Sequence, residues 1–130
     1  MADAALFNRL AAIKRHLGPH AALLLDEMLI ATQAGLHATV IVQSCAILDV
    51  ILREPVGKPA SADGIDLAAA RDSRDAFWLR ERRNGIVHYE GGRGGLMAKS
   101  DADRAILSRD ADRALHILID AIDLLLWGVD

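Results

Sequence analysis

The chain has 130 residues, 52% hydrophobic and 25% charged, with a formal net charge of −3 at pH 7. That length suits one domain with a single core, and that composition excludes a disordered tail. The acidic balance gives no bulk pull towards nucleic acid, so any polyanion site must be a local patch.

Alanine and leucine together supply about a third of the residues, while threonine occurs only twice. Such a mixture favours helices over the β-branched and aromatic residues of sheets. A single cysteine excludes a disulfide framework and a cysteine-based zinc site, and it suits a reducing cytosol. The start, Met1-Ala2-Asp3-Ala4, lacks a basic region followed by an apolar core, so no signal peptide is expected. The greasiest stretches are interrupted by Gln43, Ser44 and Asp49, or by Asp120 and Asp123, so no membrane span is expected and the chain reads as cytoplasmic.

In chain order, four helical segments are expected. The first runs from Asp3 to Leu17, with Leu6, Leu10, Ile13 and Leu17 at helical spacing. Gly18-Pro19 ends it and starts the next, glycine suiting the position after a helix and proline the first turn. The second segment, His20 to Arg53, is apolar nearly all round, as befits the centre of a bundle or dimer, with Gly35 as a bend. Residues 54–65 read as a loop. The third helix runs from Asp66 to Tyr89, where the glycine run from Gly91 to Gly95 breaks it. The fourth opens on the capping-box pattern Ser100-x-x-Asp103 and runs to Trp127. Its buried face is Leu107, Ala111, Ala114, Leu115, Leu118, Ile122 and Leu125; Arg109, Asp112, Arg113, His116, Asp120 and Asp123 form the opposite stripe. Short connections favour antiparallel neighbours, hence an all-α, up-down four-helix bundle occupying residues 1–130 as one domain.

Several groups of polar residues invite a chemical reading. His116, Asp120 and Asp123 share a stripe with metal-ligand spacing, but Arg109 and Arg113 stand among them, and a solvated face is the simpler reading; no metal and no cofactor are expected. Asp26, Gln33, His37 and Ser44 form a sparse polar line along the second segment: a solvent-facing seam, core polar groups satisfied by neighbours, or the edge of a cleft shared with another helix. Cys45 lies among apolar residues with no adjacent histidine and reads as a small buried hydrophobe. The glycine run lacks the ending of a phosphate-cradling P-loop and reads as a hinge, with Arg93 able to reach a phosphate.

The third helix stands apart. Arg71, Arg74, Arg80, Arg82, Arg83 and Arg93 put six of the fifteen basic residues into one short stretch. Arg80, Asn84 and His88 are spaced four apart and line one stripe, drifting about 40° per step. Arg83 lies on its flank. Guanidinium forks, an amide and an imidazole thus gather near a helix end, a combination suited to a phosphodiester.

The run Arg83-Asn84-Gly85-Ile86-Val87-His88 resembles the R-x4–6-H motif of the HEPN superfamily (higher eukaryotes and prokaryotes nucleotide-binding domains), including its usual polar residue after the arginine. The apolar stretch Ser44 to Leu52 resembles the helix that precedes the motif in such domains. The resemblance covers roughly residues 20–127, with only the Arg-to-His segment specific. It implies a HEPN-like helical bundle that dimerises, placing two motifs face to face. It also implies a metal-independent endoribonuclease, a toxin or defence component acting on RNA, with an antitoxin or nucleotidyltransferase as partner. Arg83 and His88 would be the catalytic pair and Asn84 the supporting polar residue, with Arg80, Arg93 and Tyr89 binding RNA. Tyr89 partly resembles a tyrosine that a nucleotidyltransferase antitoxin modifies in some toxins, but there it stands two places after the histidine and here it follows His88 directly. The glycine at 85 would let two backbones approach. Other members of the superfamily have lost catalysis and serve as nucleotide- or protein-binding modules, which is the alternative reading. A small structural bundle with an accidental Arg-His spacing is the third.

Overall fold

The computed structural model describes residues 4–54, 70–88 and 100–127. Among them the chain is helical and contains no strand. Among the described residues five helices are ten residues or longer: α1 (Ala4–Ile13), α2 (Pro19–Gln33), α3 (His37–Ile51), α4 (Arg74–Val87) and α5 (Asp101–Trp127). A 3-10 turn over Lys14–His16 extends α1.

The segment expected as one long helix from His20 to Arg53 is instead a hairpin of two. Gly35 has φ +71°, the left-handed region in which a side chain is strained. Around it Leu36 N–H donates to Ala31 O (3.0 Å) and Gly35 N–H to Thr32 O (3.2 Å), the paired bonds of a Schellman stop. The chain then turns back, and α3 lies antiparallel to α2. Two contacts show the register. Ser44 Oγ donates to Met28 Sδ (3.2 Å), and Glu54, just beyond α3, reaches the start of α2. The polar line Asp26-Gln33-His37-Ser44 is therefore not continuous: Ser44 is fully buried, whereas Asp26 pairs with Lys14 at 2.8 Å on the surface.

Glu54 closes this hairpin. Its carboxylate accepts from the backbone N–H of His20 (3.0 Å) and of Ala21 (3.2 Å), two donors that a helix start leaves without partners. The negative charge also suits the positive end of the helix. Gly18 makes room for it: a Cβ there would sit 2.3 Å from Glu54 Cδ. Gly18 is thus the N-cap of α2, with φ −68°, and not a left-handed stop for α1.

The core runs through all five helices. The predicted face of α5 is buried at every one of its seven positions, Leu107 to Leu125. Ser100 Oγ accepts from Asp103 N–H at 3.2 Å, as the capping pattern requires. Helix α3 lies at the centre, packed on α2, α4 and α5. Its Ile41, Cys45, Ile47 and Leu48 are wholly buried. Helix α4 runs antiparallel to α5, since Arg82 meets Asp110 while Trp78, a turn earlier, meets Arg113. No helix among the described residues is long and apolar enough to cross a membrane.

Two stability measurements check this packing. Leu118→Ala should lower the unfolding free energy by about 2–5 kcal/mol in urea titrations, because the fully buried side chain leaves a cavity. Glu54→Ala should cost about 1 kcal/mol as a lost cap. Gly18→Ala should cost a similar amount by displacing the same carboxylate, so the double variant should be no worse than either alone.

Candidate functional site

Helix α4 positions the site. Ser73 caps it, its Oγ accepting from Ala76 N–H at 3.0 Å, and Ala76 and Leu79 anchor it in the core. Its arginines then divide between two neighbours. Arg82 turns towards α5, where Nε donates to Asp110 at 2.8 Å in a pair largely removed from solvent. Its Nη2 is buried and has no hydrogen-bond partner among the described residues. Arg113 of α5 stacks over Trp78 at 3.9 Å, a second clamp between the same helices. These contacts fix the rotation of α4 and leave Arg80 and Arg83 facing α3.

There both meet one carboxylate. Arg80 Nε lies 3.7 Å from Asp49 Oδ1, and Arg83 Nη1 lies 3.6 Å from Oδ2. All three side chains are about a third exposed. The distances are long for charge-assisted hydrogen bonds, so Asp49 holds the two guanidinium groups near each other without taking up their donors. Two positive charges over one negative leave a net positive site, which accommodates one further anion. Arg80 is also pinned by Nη1 donating to Arg71 O at 2.6 Å.

Asn84 links the remaining members. Its Oδ1 accepts from Arg83 Nε (3.1 Å) and Nη2 (2.9 Å), and its backbone carbonyl accepts the N–H of His88 at 2.9 Å. The amide side chain therefore orients the arginine; it does not hold the imidazole. His88 itself is the C-cap of α4, with φ −114° and ψ 104°, so the helix ends at Val87 and not at Tyr89. The expected stripe Arg80-Asn84-His88 holds for its first two members only. His88 leaves the helix in an extended conformation, and its side chain is exposed. Its imidazole has no partner among the described residues.

Arg93 and Tyr89, expected to bind RNA, lie outside the described residues, as does the glycine run. His116 is exposed on α5, its Nδ1 2.9 Å from Asp112 O, and Asp123 pairs with Arg9 across the surface. Among the described residues no group of three or more His, Cys, Asp or Glu is placed to hold a metal ion. Cys45 lies beneath the arginines in the core. Burial pushes its thiol up from the ordinary value; Arg83 opposes this and Asp49 adds to it. A neutral, buried thiol is no nucleophile.

Asp49 was missed as a site residue by sequence reasoning. It stands thirty-odd positions from its arginines, and its only signal was being the sole charge in an apolar helix. Beside it opens a groove of about 360 Å³, with His20, Val50, Arg53 and Glu54 also on its wall.

Comparison with protein-family models, with curated proteins and with solved structures finds no match to this chain. The functional reading accordingly rests on the residues themselves.

The thiol provides a check on this arrangement. Native protein should react with a disulfide-exchange reagent only as fast as it unfolds, and urea should restore rapid, stoichiometric labelling of Cys45. Rapid labelling of the folded chain would mean that α3 is not covered at this point.

Proposed function

We propose that this chain is a HEPN-like, metal-independent endoribonuclease, a toxin or defence component that acts as a homodimer. The observation that carries the reading is the local unit at the end of α4. Arg83 is oriented by Asn84 and shares Asp49 with Arg80, and the exposed His88 follows one turn later.

RNA supplies its own nucleophile. The 2′-hydroxyl attacks the adjacent phosphorus, the P–O5′ bond breaks, and a 2′,3′-cyclic phosphate and a 5′-hydroxyl result. One proton must leave the 2′-oxygen and another must reach the departing 5′-oxygen. Histidine titrates near neutrality and serves either role. Arg83 remains charged throughout and forks onto the non-bridging oxygens as negative charge accumulates there. A single imidazole per chain performs one of the two transfers. A two-fold partner brings the second, which is why the dimer belongs to the proposal. Gly85, half-buried in α4, leaves room for the close approach.

Purified protein should cut single-stranded RNA in the presence of EDTA and leave 2′,3′-cyclic ends. His88→Ala should lower the rate about 10²–10⁴-fold, and Arg83→Ala should be comparably damaging. Asn84→Ala should hurt less, and His116→Ala on the far face should change nothing. Cleavage that survives the loss of both Arg83 and His88 would move the site elsewhere. Light scattering should return twice the chain mass of 14.0 kDa. A folded dimer that binds RNA or nucleotide without cutting it would be the catalytically inactive binding module of the same family.

A further inference from the structure

The groove beside Asp49 lies where the C-terminal end of α3 meets the N-terminal end of α2, and its wall holds His20, Asp49, Val50, Arg53 and Glu54. Its charges are unequally engaged. Asp49 already faces Arg80 and Arg83, and Glu54 is committed to the backbone amides of His20 and Ala21. Arg53 and the His20 side chain are exposed and have no ion-pair partner among the described residues. Asp49 is thus offset by two cations, and Glu54, still anionic, is turned to the amides at the positive end of α2, while Arg53 and the His20 side chain face outward. Arg53 lies in the turn just past α3, four positions on from Asp49, with its N–H donating to Val50 O at 3.0 Å, so a third cation stands beside the groove that Asp49 shares with Arg80 and Arg83. Val50 adds an apolar surface between them, half-buried and against the core. A volume of about 360 Å³ falls in the range of small-ligand sites.

We propose that this groove seats the RNA nucleotide next to the one that is cut, with Arg53 and His20 taking its phosphate and Val50 meeting its base or ribose. The proposal rests on the ribonuclease reading of the α4 terminus and deepens it: the substrate is a single strand held at two successive phosphates. Arg83 meets the scissile one and Arg53 the flanking one. The two contacts differ in what they do. Arg83 acts on charge that grows in the transition state. Arg53 binds a phosphate whose charge never changes, and so contributes equally before and during the reaction.

The test uses the full chain and a fluorescein-labelled 2′-O-methyl RNA hexamer, which lacks the nucleophile and reports binding alone. Anisotropy is read across a salt series, beside cleavage kinetics on the unmodified RNA. Arg53→Gln should weaken binding about three- to tenfold and flatten the slope of log K against log salt by about 0.7, the loss of one phosphate contact on a single strand. In cleavage it should raise KM and leave kcat unchanged, whereas Arg83→Ala should lower kcat. His20→Ala should weaken binding more mildly, its backbone N–H still held by Glu54. Both positions are exposed, and unchanged thermal melts confirm that the variants fold. Groove variants that bind with wild-type affinity and salt slope, while Arg83→Ala binds poorly, would overturn the groove and leave the ribonuclease reading standing. Weakened binding in the groove variants with no cleavage by any protein would uphold the groove and overturn the catalytic reading. No binding of the hexamer by the wild-type chain would overturn both.

Discussion

The burial of α3 organises the molecule. A helix whose Ile41, Cys45, Ile47 and Leu48 are wholly inaccessible has to be covered on several sides, and α2, α4 and α5 supply the cover. The turn at Gly35 lets the chain double back to do so, and the Glu54 carboxylate ties the open end of the hairpin. Asp49 is the exception on this helix, a charge at the edge of an apolar surface. A carboxylate about two-thirds removed from water needs positive partners, and α4 delivers two. The positions of Arg80 and Arg83 are therefore consequences of the core. So is the excess positive charge that makes the site suited to an anion.

Division of labour among the arginines follows from the same packing. Arg82 and Arg83 are adjacent in sequence, yet one is buried against Asp110 of α5 and the other is partly exposed above α3. Successive helical residues point about 100° apart, so a helix wedged between two neighbours sends one cation to each. The first holds the helix in place, and the second stays partly exposed beside Asp49. Asn84 then restrains Arg83 through two hydrogen bonds, which leaves the guanidinium less rotamer freedom to lose on engaging a partner. His88, past the end of the helix, is set by one backbone bond and retains more freedom.

Much of this was legible in the sequence where one physical rule dominates. The face of α5 follows from period alone, because polar and apolar residues alternate cleanly along it. The Gly18-Pro19 boundary and the Ser100 cap follow from local hydrogen-bonding needs. The α2–α3 turn was less legible because both helices are apolar all round, and a uniform pattern carries no phase to lose. Its signal was Gly35 followed by Leu36, a left-handed residue and then an apolar one. Spacing singled out Arg80, Asn84 and His88, and the motif resemblance added Arg83; of these, Arg83 and Asn84 do form one hydrogen-bonded unit. The role of Asn84 came out differently, as its side chain reaches the arginine. Asp49 and Glu54 were not identified, since each acts on residues about thirty positions away. Only the tertiary fold makes such pairs neighbours.

The central claim is that the end of α4 meets RNA. The most direct measurement is a nuclear magnetic resonance titration of the full chain with a non-cleavable 2′-O-methyl RNA hexamer, followed at backbone amides and at the arginine Nε–H groups. The account predicts shifts at Arg80, Arg83, Asn84 and His88 and from Asp49, near the end of α3, through the following turn to Glu54, with the polar face of α5 around His116 and Asp120 unmoved. Shifts centred on that α5 face, or a spectrum indifferent to RNA, would contradict it.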